Sequence, residues 1–488
     1  MPCVLALDQG TTGSTALVVD GGGRVLGRGY HELTQHFPEA GWVEHDAEEI
    51  WAITLQAARD ALAAARVAPA DVAALGITNQ RETTLLWERR TGRPLHRAIV
   101  WQDRRTAARC RELDAALVRE RTGLVPDPYF SATKLEWLLA RAGGEAARAA
   151  FGTVDTWLVH KLTAGGAHVT DPTNASRTML YDIERGTWDE ELLRLFGVPR
   201  EVLPEVRPSS GTFGVADARW FGREIPIAGI AGDQQAALFG QGCVAPGTAK
   251  NTFGTGAFLL LNTGTRRARS THGLLTTIAC DARGGRAFAL EGSVFIAGAA
   301  VQWLRDGLKL IANAAETEAL ARSVPNTGGV VFVPAFVGLG APHWEAEARG
   351  TVVGITRGTT GAHLVRAALE AMAFSTREVL EAMAADSGLA LGELKVDGGA
   401  AANDWLMQFQ AAVLGVPVHR PDAVDSTALG AAGLAGIATG VWKSVDELVA
   451  ARHYRTFEPG RRPDAAWREW RRGVRAALAW AEDNGEVR

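Results

Sequence analysis

The sequence of 488 residues has room for two to four domains, because a domain commonly spans about 150 residues. Hydrophobic residues make up 47%, charged residues 22%, and the formal net charge is −4, which gives no overall basic footprint for binding nucleic acids or anionic membranes. The four dispersed cysteines form no CxxC pair and favour a reducing compartment. With neither a signal-peptide pattern nor a span of about 20 apolar residues, we expect a cytoplasmic protein without membrane insertion.

The first predicted element is a hairpin. Apolar residues 3–7 and 16–19 predict two strands, and the stretch from Asp8 to Thr15, DQGTTGST, predicts the turn between them. Glycines and hydroxyls in a turn present donors to an anion. An acid there repels phosphate unless a cation lies between them, so Asp8 indicates Mg²⁺ held through water. The turn therefore favours a loop that holds nucleotide phosphates, and an ordinary polar hairpin is the alternative.

Two apolar runs then end in polar clusters. Residues 72–77 predict a buried strand followed by TNQRETT at 78–84, and the run at 98–101 is followed by QDRR. Open α/β sheets bind their ligands at such strand ends. Because Arg81 and Glu82 are adjacent in one loop, we expect their side chains to point apart and to contact a ligand. The alternative is a surface ion pair between the two.

A third buried strand, predicted at 225–231, leads directly into Asp233 and an Ala-rich helix. A carboxylate at that position is suited to catalysis, and the alternative is that it only caps the helix. The segment before the strand, residues 206–222, is rich in Pro, Gly and Ser and is predicted as a surface connection.

The second half of the chain repeats the glycine turns. One turn is predicted at 251–257 before an apolar run, and another at 397–400 before a helix that begins near Asn403. Three such turns predict two related α/β domains that face each other across a nucleotide. We also predict a buried small-residue helix within 426–442 and a C-terminal helix docked by Trp467, Trp470 and Trp480.

Taken together, the motifs resemble the FGGY family of carbohydrate kinases. The most specific matching blocks are GITNQRETT at 76–84 and GIAGDQQAALFG at 229–240, and weaker matches extend over nearly the whole chain. The resemblance implies an α/β fold of two ribonuclease H-like domains, of the actin/hexokinase type, with a cleft between them. It assigns the glycerol site and the first phosphate loop to residues 1–245 and the nucleotide site to residues 246–488.

The resemblance also implies the reaction, which is the Mg²⁺- and ATP-dependent phosphorylation of glycerol to sn-glycerol 3-phosphate. Glycerol and ATP would be the small-molecule partners of a homo-oligomer, a dimer or a tetramer. Asp233 would act as the catalytic base, and Asp8 would lie near Mg²⁺. The implied glycerol-binding residues are Arg81, Glu82, Trp101, Tyr129, Asp233, Gln234 and Phe258. The implied nucleotide-binding residues are Thr11, Thr12, Gly13, Thr255, Gly298, Gln302, Gly399 and Asn403.

Two alternative functions remain open at this point. A kinase of the same family that acts on a pentulose or another polyol would share these motifs and differ in the size of its pocket. An actin-like or chaperone-type ATPase would share the phosphate loops, but it would not need Arg81 and Glu82 beside Asp233. Polyol-dependent release of ADP separates the three possibilities.

Overall fold

The two halves of the chain each build one large mixed sheet. The computed structural model describes residues 2–422, 425–450 and 452–482. The strands of the first half are β1 (Cys3–Gln9), β2 (Gly13–Asp20), β3 (Val25–Glu32), β4 (Glu44–His45), β5 (Val72–Asn79), β6 (Leu85–Glu88), β7 (Ala98–Ile99), β8 (Ala149–Gly152), β9 (Val169–Thr170), β10 (Tyr181–Asp182), β11 (Thr187–Trp188), β12 (Glu205–Val206), β13 (Ser210–Ala216) and β14 (Ile225–Gly232). Its helices are α1 (Ala47–Ala65), α2 (Ala107–Cys110), α3 (Ala115–Thr122), α4 (Ser131–Ala142), α5 (Val154–Leu162), α6 (Pro172–Ala175), α7 (Glu190–Leu195), α8 (Ala218–Phe221) and α9 (Asp233–Gly240).

The second half continues the same numbering. Its strands are β15 (Ala249–Phe253), β16 (Ala257–Gly264), β17 (Leu275–Ala279), β18 (Ala287–Val294), β19 (Val331–Val333), β20 (Thr351–Val353), β21 (Leu394–Gly398), β22 (Val418–Pro421) and β23 (Tyr454–Phe457). Its helices are α10 (Gly298–Asp306), α11 (Glu316–Ser323), α12 (Gly361–Ser387), α13 (Asp404–Leu414), α14 (Ser426–Ala438), α15 (Val445–Ala450) and α16 (Asp464–Glu482). Short 3-10 helices lie at Pro69–Asp71, Gly143–Arg148, Arg200–Val202 and Gly399–Ala402.

The two sheets share one topology. The first has the order β13-β14-β5-β1-β2-β3, in which β1, β2 and β3 are antiparallel and β1, β5 and β14 are parallel. The second has the order β17-β18-β16-β15-β21-β22-β23, in which β15, β16 and β18 are antiparallel and β15, β21 and β22 are parallel. Three antiparallel strands joined to two parallel ones therefore occur twice, and the prediction of two related α/β domains is confirmed.

The first sheet takes one of its covering helices from the second half of the chain. The small-residue helix predicted within 426–442 is α14, and its Ala428, Ala432 and Ala435 pack against Val4 and Ala74 of the first sheet. Small side chains let a helix approach its neighbours closely, so the sequence of α14 suits this position. None of the helices in the described ranges has both the length and the apolar character that crossing a bilayer requires.

The same helix crosses α9 at very short range. A Cβ atom added at Gly430 would lie 1.9 Å from the carbonyl oxygen of Ala236, so only glycine fits at the crossing. Because α9 begins at Asp233, this crossing links α14 directly to the element that carries the predicted base.

Two predictions about the fold are wrong. Residues 206–222 are not a surface connection, because they contain the edge strand β13 and the short helix α8, with Phe213 fully buried. An edge strand buries only alternate side chains, so its polar and glycine positions resemble a loop. In α16, Trp467 and Trp470 are buried as predicted, but Trp480 is 67% exposed. The buried stripe of α16 continues through Val474 and Ala477, and Trp480 lies outside it.

Candidate active site

Three parallel strands end at one edge of the first sheet and bring two predicted catalytic residues and one predicted glycerol-binding residue together. Asp8 lies on β1, Arg81 follows β5, and Asp233 follows β14. The sequence predicts that Asp8 lies in the hairpin turn, and this prediction is wrong. Asp8 is the strand residue that pairs with Thr15 across β1 and β2. The turn itself is shorter and is closed by a hydrogen bond of 2.8 Å from the Gly10 N–H to the Gly13 carbonyl.

Arg81 is the centre of the site. Its Nε lies 3.2 Å from Asp233 Oδ1, and its Nη2 lies 3.3 Å from the hydroxyl of Tyr129. Its Nη1 and Nη2 donate to both carboxylate oxygens of Glu291, at 2.6 and 3.0 Å. A buried guanidinium that binds a carboxylate through two parallel hydrogen bonds is held in a fixed orientation. The loop after β5 therefore presents Arg81 to Asp233 and Tyr129 with little freedom.

Arg81 and Glu82 do not point fully apart, although the sequence predicts that they do, because their charged groups lie within ion-pair distance inside the protein. The distance from Arg81 Nε to Glu82 Oε1 is 3.9 Å, whereas the same oxygen of Glu82 accepts a hydrogen bond of 2.6 Å from Arg177 Nε. Glu82 also adopts a left-handed backbone with φ of 62°. Such a conformation typically costs about 1–3 kcal/mol and persists only where surrounding contacts enforce it. Arg177 is thus the hydrogen-bonded partner of Glu82, and the longer ion pair of Glu82 with Arg81 is buried rather than at the surface.

Two aromatic side chains connect the polyol-site residues to the phosphate loop. Trp101 Nε1 donates to Thr11 Oγ1 at 2.9 Å, and the rings of Trp101 and Tyr129 meet edge to face with centroids 5.4 Å apart. The strand before Trp101, β7, has only two residues and pairs with β4 in a separate small sheet. The contact with Thr11 nevertheless positions Trp101 at the site.

The two aspartates influence each other electrostatically. Burial and the negative charge of Asp233 raise the pKa of Asp8 to about 8. Burial also raises the pKa of Asp233, and the positive charges of Arg81 and Lys250 oppose that rise. The side chain of Asp233 keeps 29% of its surface exposed, so a ligand has access to it. The site thus contains two carboxylates whose pKa values are raised by burial, and the ionised form of Asp233 is favoured by the positive charges of Arg81 and Lys250.

The second half of the chain contributes three contacts to this site. Lys250 on β15 donates to Gln234 Oε1 and, at 3.2 Å, to the carbonyl of Phe258. Glu291 on β18 binds Arg81, as described above, and also accepts from Arg177 Nη2 at 3.0 Å. Burial opposes ionisation of Glu291, but the charges of the two arginines lower its pKa to about 2.

Lys250, Glu291 and Arg177 are site residues that the sequence reasoning missed. All three side chains are fully buried. A charged residue inside an apolar strand is a signal by itself, since such residues are almost never fully buried unless they are paired. The sequence of β15, AKNTF, and that of β18, AFALEGSV, both contain this signal.

A second cluster lies where β15 and β21 end side by side. The turn at 254–256 is hydrogen-bonded to the first residues of α10. The Gly298 N–H donates to the Gly254 carbonyl at 3.1 Å, and the Ala299 N–H donates to the Thr255 carbonyl at 3.0 Å. Gly399 begins the turn after β21, whose Gly398 pairs with Phe253 of β15. The structure thus brings three of the predicted nucleotide-binding residues, Thr255, Gly298 and Gly399, to one edge of the second sheet, and a fourth, Gln302, follows one turn into α10.

The remaining predicted residues have local structural roles. Asn403 caps α13, because its Oδ1 accepts from the Leu406 N–H at 2.9 Å, and its Nδ2 donates to Thr317 Oγ1 at 3.1 Å. Thr12 is exposed at the tip of the first hairpin. Gly13 lies so close to β3 that an added Cβ would be 2.5 Å from the carbonyl of His31. Their roles in nucleotide binding stay predictions.

Comparisons with known proteins agree with this architecture. The N-terminal domain of the FGGY family of carbohydrate kinases matches residues 3–240, and the C-terminal domain of the same family matches residues 249–439. The chain is 56% identical to a glycerol kinase of Deinococcus radiodurans over 99% of this chain and 98% of the relative. It is 57% identical to a glycerol kinase of Bordetella parapertussis over 98% of this chain and 97% of the relative. It is also similar to the crystal structure of Plasmodium falciparum glycerol kinase with ADP, with 35% identity, a TM-score of 0.91 and 98% coverage of each chain.

Proposed function

Because the chain belongs to the FGGY family of carbohydrate kinases, we propose that it transfers the γ-phosphoryl group of ATP to glycerol and forms sn-glycerol 3-phosphate and ADP. The observation that carries this proposal is the convergence of Arg81, Tyr129 and Asp233 at the end of the first sheet, beside the Thr11 loop. A polyol bound there lies between donors, an acceptor and aromatic surfaces.

The residues suit a three-carbon polyol. Arg81 donates hydrogen bonds, Glu82 accepts them, and Gln234 does both, so each glycerol hydroxyl can find a partner of the required type. The rings of Trp101 and Tyr129 supply apolar surface for the C–H groups. Phosphoryl transfer requires positioning and charge stabilisation more than covalent assistance, and a rigid buried arginine supplies both.

Asp233 is the proposed general base. A primary alcohol holds its proton tightly near neutral pH, and that proton becomes acidic only as the oxygen attacks phosphorus. Asp233 is exposed enough to reach the alcohol, and burial raises its pKa in the direction that strengthens a base. The nearby Arg81 keeps the carboxylate ionised and oriented, so Asp233 is ready to accept the proton.

Asp8 fits a role beside Mg²⁺. Burial and the charge of Asp233 raise the pKa of Asp8 to about 8, so the ionised form gains from a nearby divalent cation. Within the described ranges, no three His, Cys, Asp or Glu side chains converge on one point where a metal ion would fit. Mg²⁺ is commonly bound through one or two carboxylates, water and substrate phosphates, which suits a single aspartate. When bound, Mg²⁺ neutralises charge on the phosphate oxygens.

The substitution Asp233→Asn tests the base assignment. It keeps the size and an oxygen that can accept from the Gln234 N–H, as Asp233 Oδ1 does at 2.7 Å, but it removes the basicity. We expect kcat for glycerol to fall by about 10² to 10⁴, which is the usual contribution of a general base, while the ATP affinity and the melting temperature stay near wild type. The measurement is steady-state kinetics with glycerol and ATP as varied substrates.

The matched control is Asp114→Asn, which alters the aspartate that caps α3 and accepts from the Ala116 and Leu117 N–H groups. Asn caps helices as well as Asp does, so this variant should keep its activity. If folded Asp233→Asn also keeps a near wild-type kcat, the base assignment is wrong.

A polyol screen separates the proposed function from its alternatives. Release of ADP is measured with glycerol, dihydroxyacetone, xylulose and ribulose, and without any polyol. We expect the highest kcat/KM with glycerol. A pentulose with a higher kcat/KM would favour the pentulose kinase, and full ATP turnover without polyol would favour an ATPase.

Three broader features complete the proposal. The domain boundary lies after residue 245, between the two matched family domains, and the nucleotide site belongs to the second domain. The protein acts as a homo-oligomer, a dimer or a tetramer. The cytoplasm is the proposed location, supported by four buried cysteines with free thiols.

A further inference from the structure

Lys250 is a fully buried lysine with every donor in use. An ammonium group has three N–H donors and no acceptor. Those of Lys250 bond to Gln234 Oε1, to Thr252 Oγ1 at 2.9 Å and to the Phe258 carbonyl at 3.2 Å. A group with all of its donors bonded in a buried setting has one defined position.

The partners of Lys250 come from both halves of the chain. Gln234 stands in the first turn of α9, next to the base Asp233, whereas Phe258 lies on β16 of the second sheet. The sequence analysis assigns both Gln234 and Phe258 to the polyol site. Lys250 is thus the side chain that joins the two residues across the two halves.

The surrounding charges keep the side chain of Lys250 mostly ionised at neutral pH. Burial lowers the pKa of Lys250 to about 8, and Arg81 contributes to the lowering. The carboxylates of Asp397, Asp233 and Glu291 oppose it. A buried charge that is retained against its desolvation cost is better explained by a role at the site than by stability alone, because an apolar side chain would pack there at lower cost.

We propose that Lys250 is a positioning residue for the polyol, which fixes the Gln234 amide and the Phe258 backbone next to each other beside the bound substrate. This inference rests on the proposed phosphoryl transfer to glycerol. Lys250 orients Gln234 so that its N–H₂ group faces the substrate, because its carbonyl oxygen is bonded to the ammonium. The polyol pocket is therefore complete only when the second sheet lies against α9.

The experiment compares Lys250→Met and Lys250→Arg with wild type in the full-length protein. Met keeps the length of the side chain and removes the three hydrogen bonds. We expect Lys250→Met to raise the glycerol KM and the glycerol Kd, measured by calorimetry without ATP, by about 10- to 100-fold, as the loss of hydrogen bonds from a charged donor implies. The KM for ATP should stay within about twofold. Lys250→Arg keeps the charge and should recover part of the glycerol affinity.

Lys395→Met is the matched control. Lys395 lies on the neighbouring strand β21 and pairs in register with Lys250. Its ammonium group donates at 2.9 Å to the carbonyl of Gln241, the C-cap of α9, at the opposite end of that helix from Gln234. This variant should keep the wild-type glycerol KM and Kd.

Each outcome decides the question. Inactive wild-type protein overturns the proposed function itself, and with it the basis of this inference. Active wild type with unchanged glycerol KM and Kd in Lys250→Met overturns only the role of Lys250. If both Lys250 variants fail to fold while Lys395→Met folds, the lysine is structural and the inference is also wrong.

Discussion

Replacing Glu291 by Gln tests whether the buried charge network holds the site together. Glu291 accepts from Arg81 at 2.6 and 3.0 Å and from Arg177 at 3.0 Å, and its side chain is fully buried. Glu291→Gln keeps the shape but leaves two buried guanidinium groups without one of their counter-charges. Breaking a buried ion pair by removing one partner typically costs about 3–5 kcal/mol.

The pKa of Glu291 gives a second value for the folding free energy that Glu291→Gln would lose. The arginines lower this pKa from 4.5 to about 2. At 1.36 kcal/mol per pKa unit, the shift corresponds to about 3 kcal/mol of folding free energy. Because the folded-state pKa is depressed, this stabilisation is fully present above about pH 4.5 and is lost as the pH falls towards 2. Glu291→Gln should therefore cost about 3 kcal/mol at pH 7, and the difference from wild type should shrink below pH 4.5.

The assay is urea denaturation followed by tryptophan fluorescence, at pH 7 and at steps down to pH 3. Glu393→Gln serves as the control, because Glu393 makes exposed ion pairs with Lys395 and His419 in the same half of the chain. Exposed pairs contribute about 0–1 kcal/mol, so the control should change little. A loss below about 1 kcal/mol in Glu291→Gln at pH 7, or one that does not depend on pH, would refute the reasoning.

Two further substitutions test the links to the site. Trp101→Phe keeps an aromatic ring, although a smaller one, and removes the N–H that donates to Thr11 at 2.9 Å. The kcat with glycerol should fall about 5- to 10-fold, as one lost hydrogen bond implies, and an unchanged kcat would contradict the role of this contact. Gly430→Ala inserts a methyl group 1.9 Å from the Ala236 carbonyl, so α14 and α9 must separate. The melting temperature and the glycerol kcat should both drop, and wild-type values of both would disprove the tight crossing.

The fold could largely be predicted from local patterns. The apolar runs that became β1, β5, β14 and β21 lie between turn residues that mark their ends clearly. The edge strand β13 was not predicted, because it buries only one face and its Phe213 lies among glycine and polar residues. The exposure of Trp480 was not predicted, because the composition of a helix does not by itself indicate which face packs inwards.

The site was predicted only where its residues belong to recognisable motifs. Arg81 and Asp233 lie in long specific blocks, but Arg81 meets Glu291 at a separation of 210 residues, and Lys250 meets Gln234 from another sheet. Local sequence contains no information about such partners. A buried charge in a strand indicates that a partner exists, and the three-dimensional structure is needed to identify it.

The packing of α14 on the first sheet has a consequence for synthesis on the ribosome. The last strand of that sheet ends at Gly232, and α14 begins only at Ser426. At a translation rate of about 5–20 residues per second, this separation of about 200 residues corresponds to an interval of about 10–40 s. During this interval the nascent sheet has an apolar face that its own half of the chain does not cover. A chain that terminates early, before residue 426, would keep that face open, and we expect such fragments to bind chaperones or to aggregate.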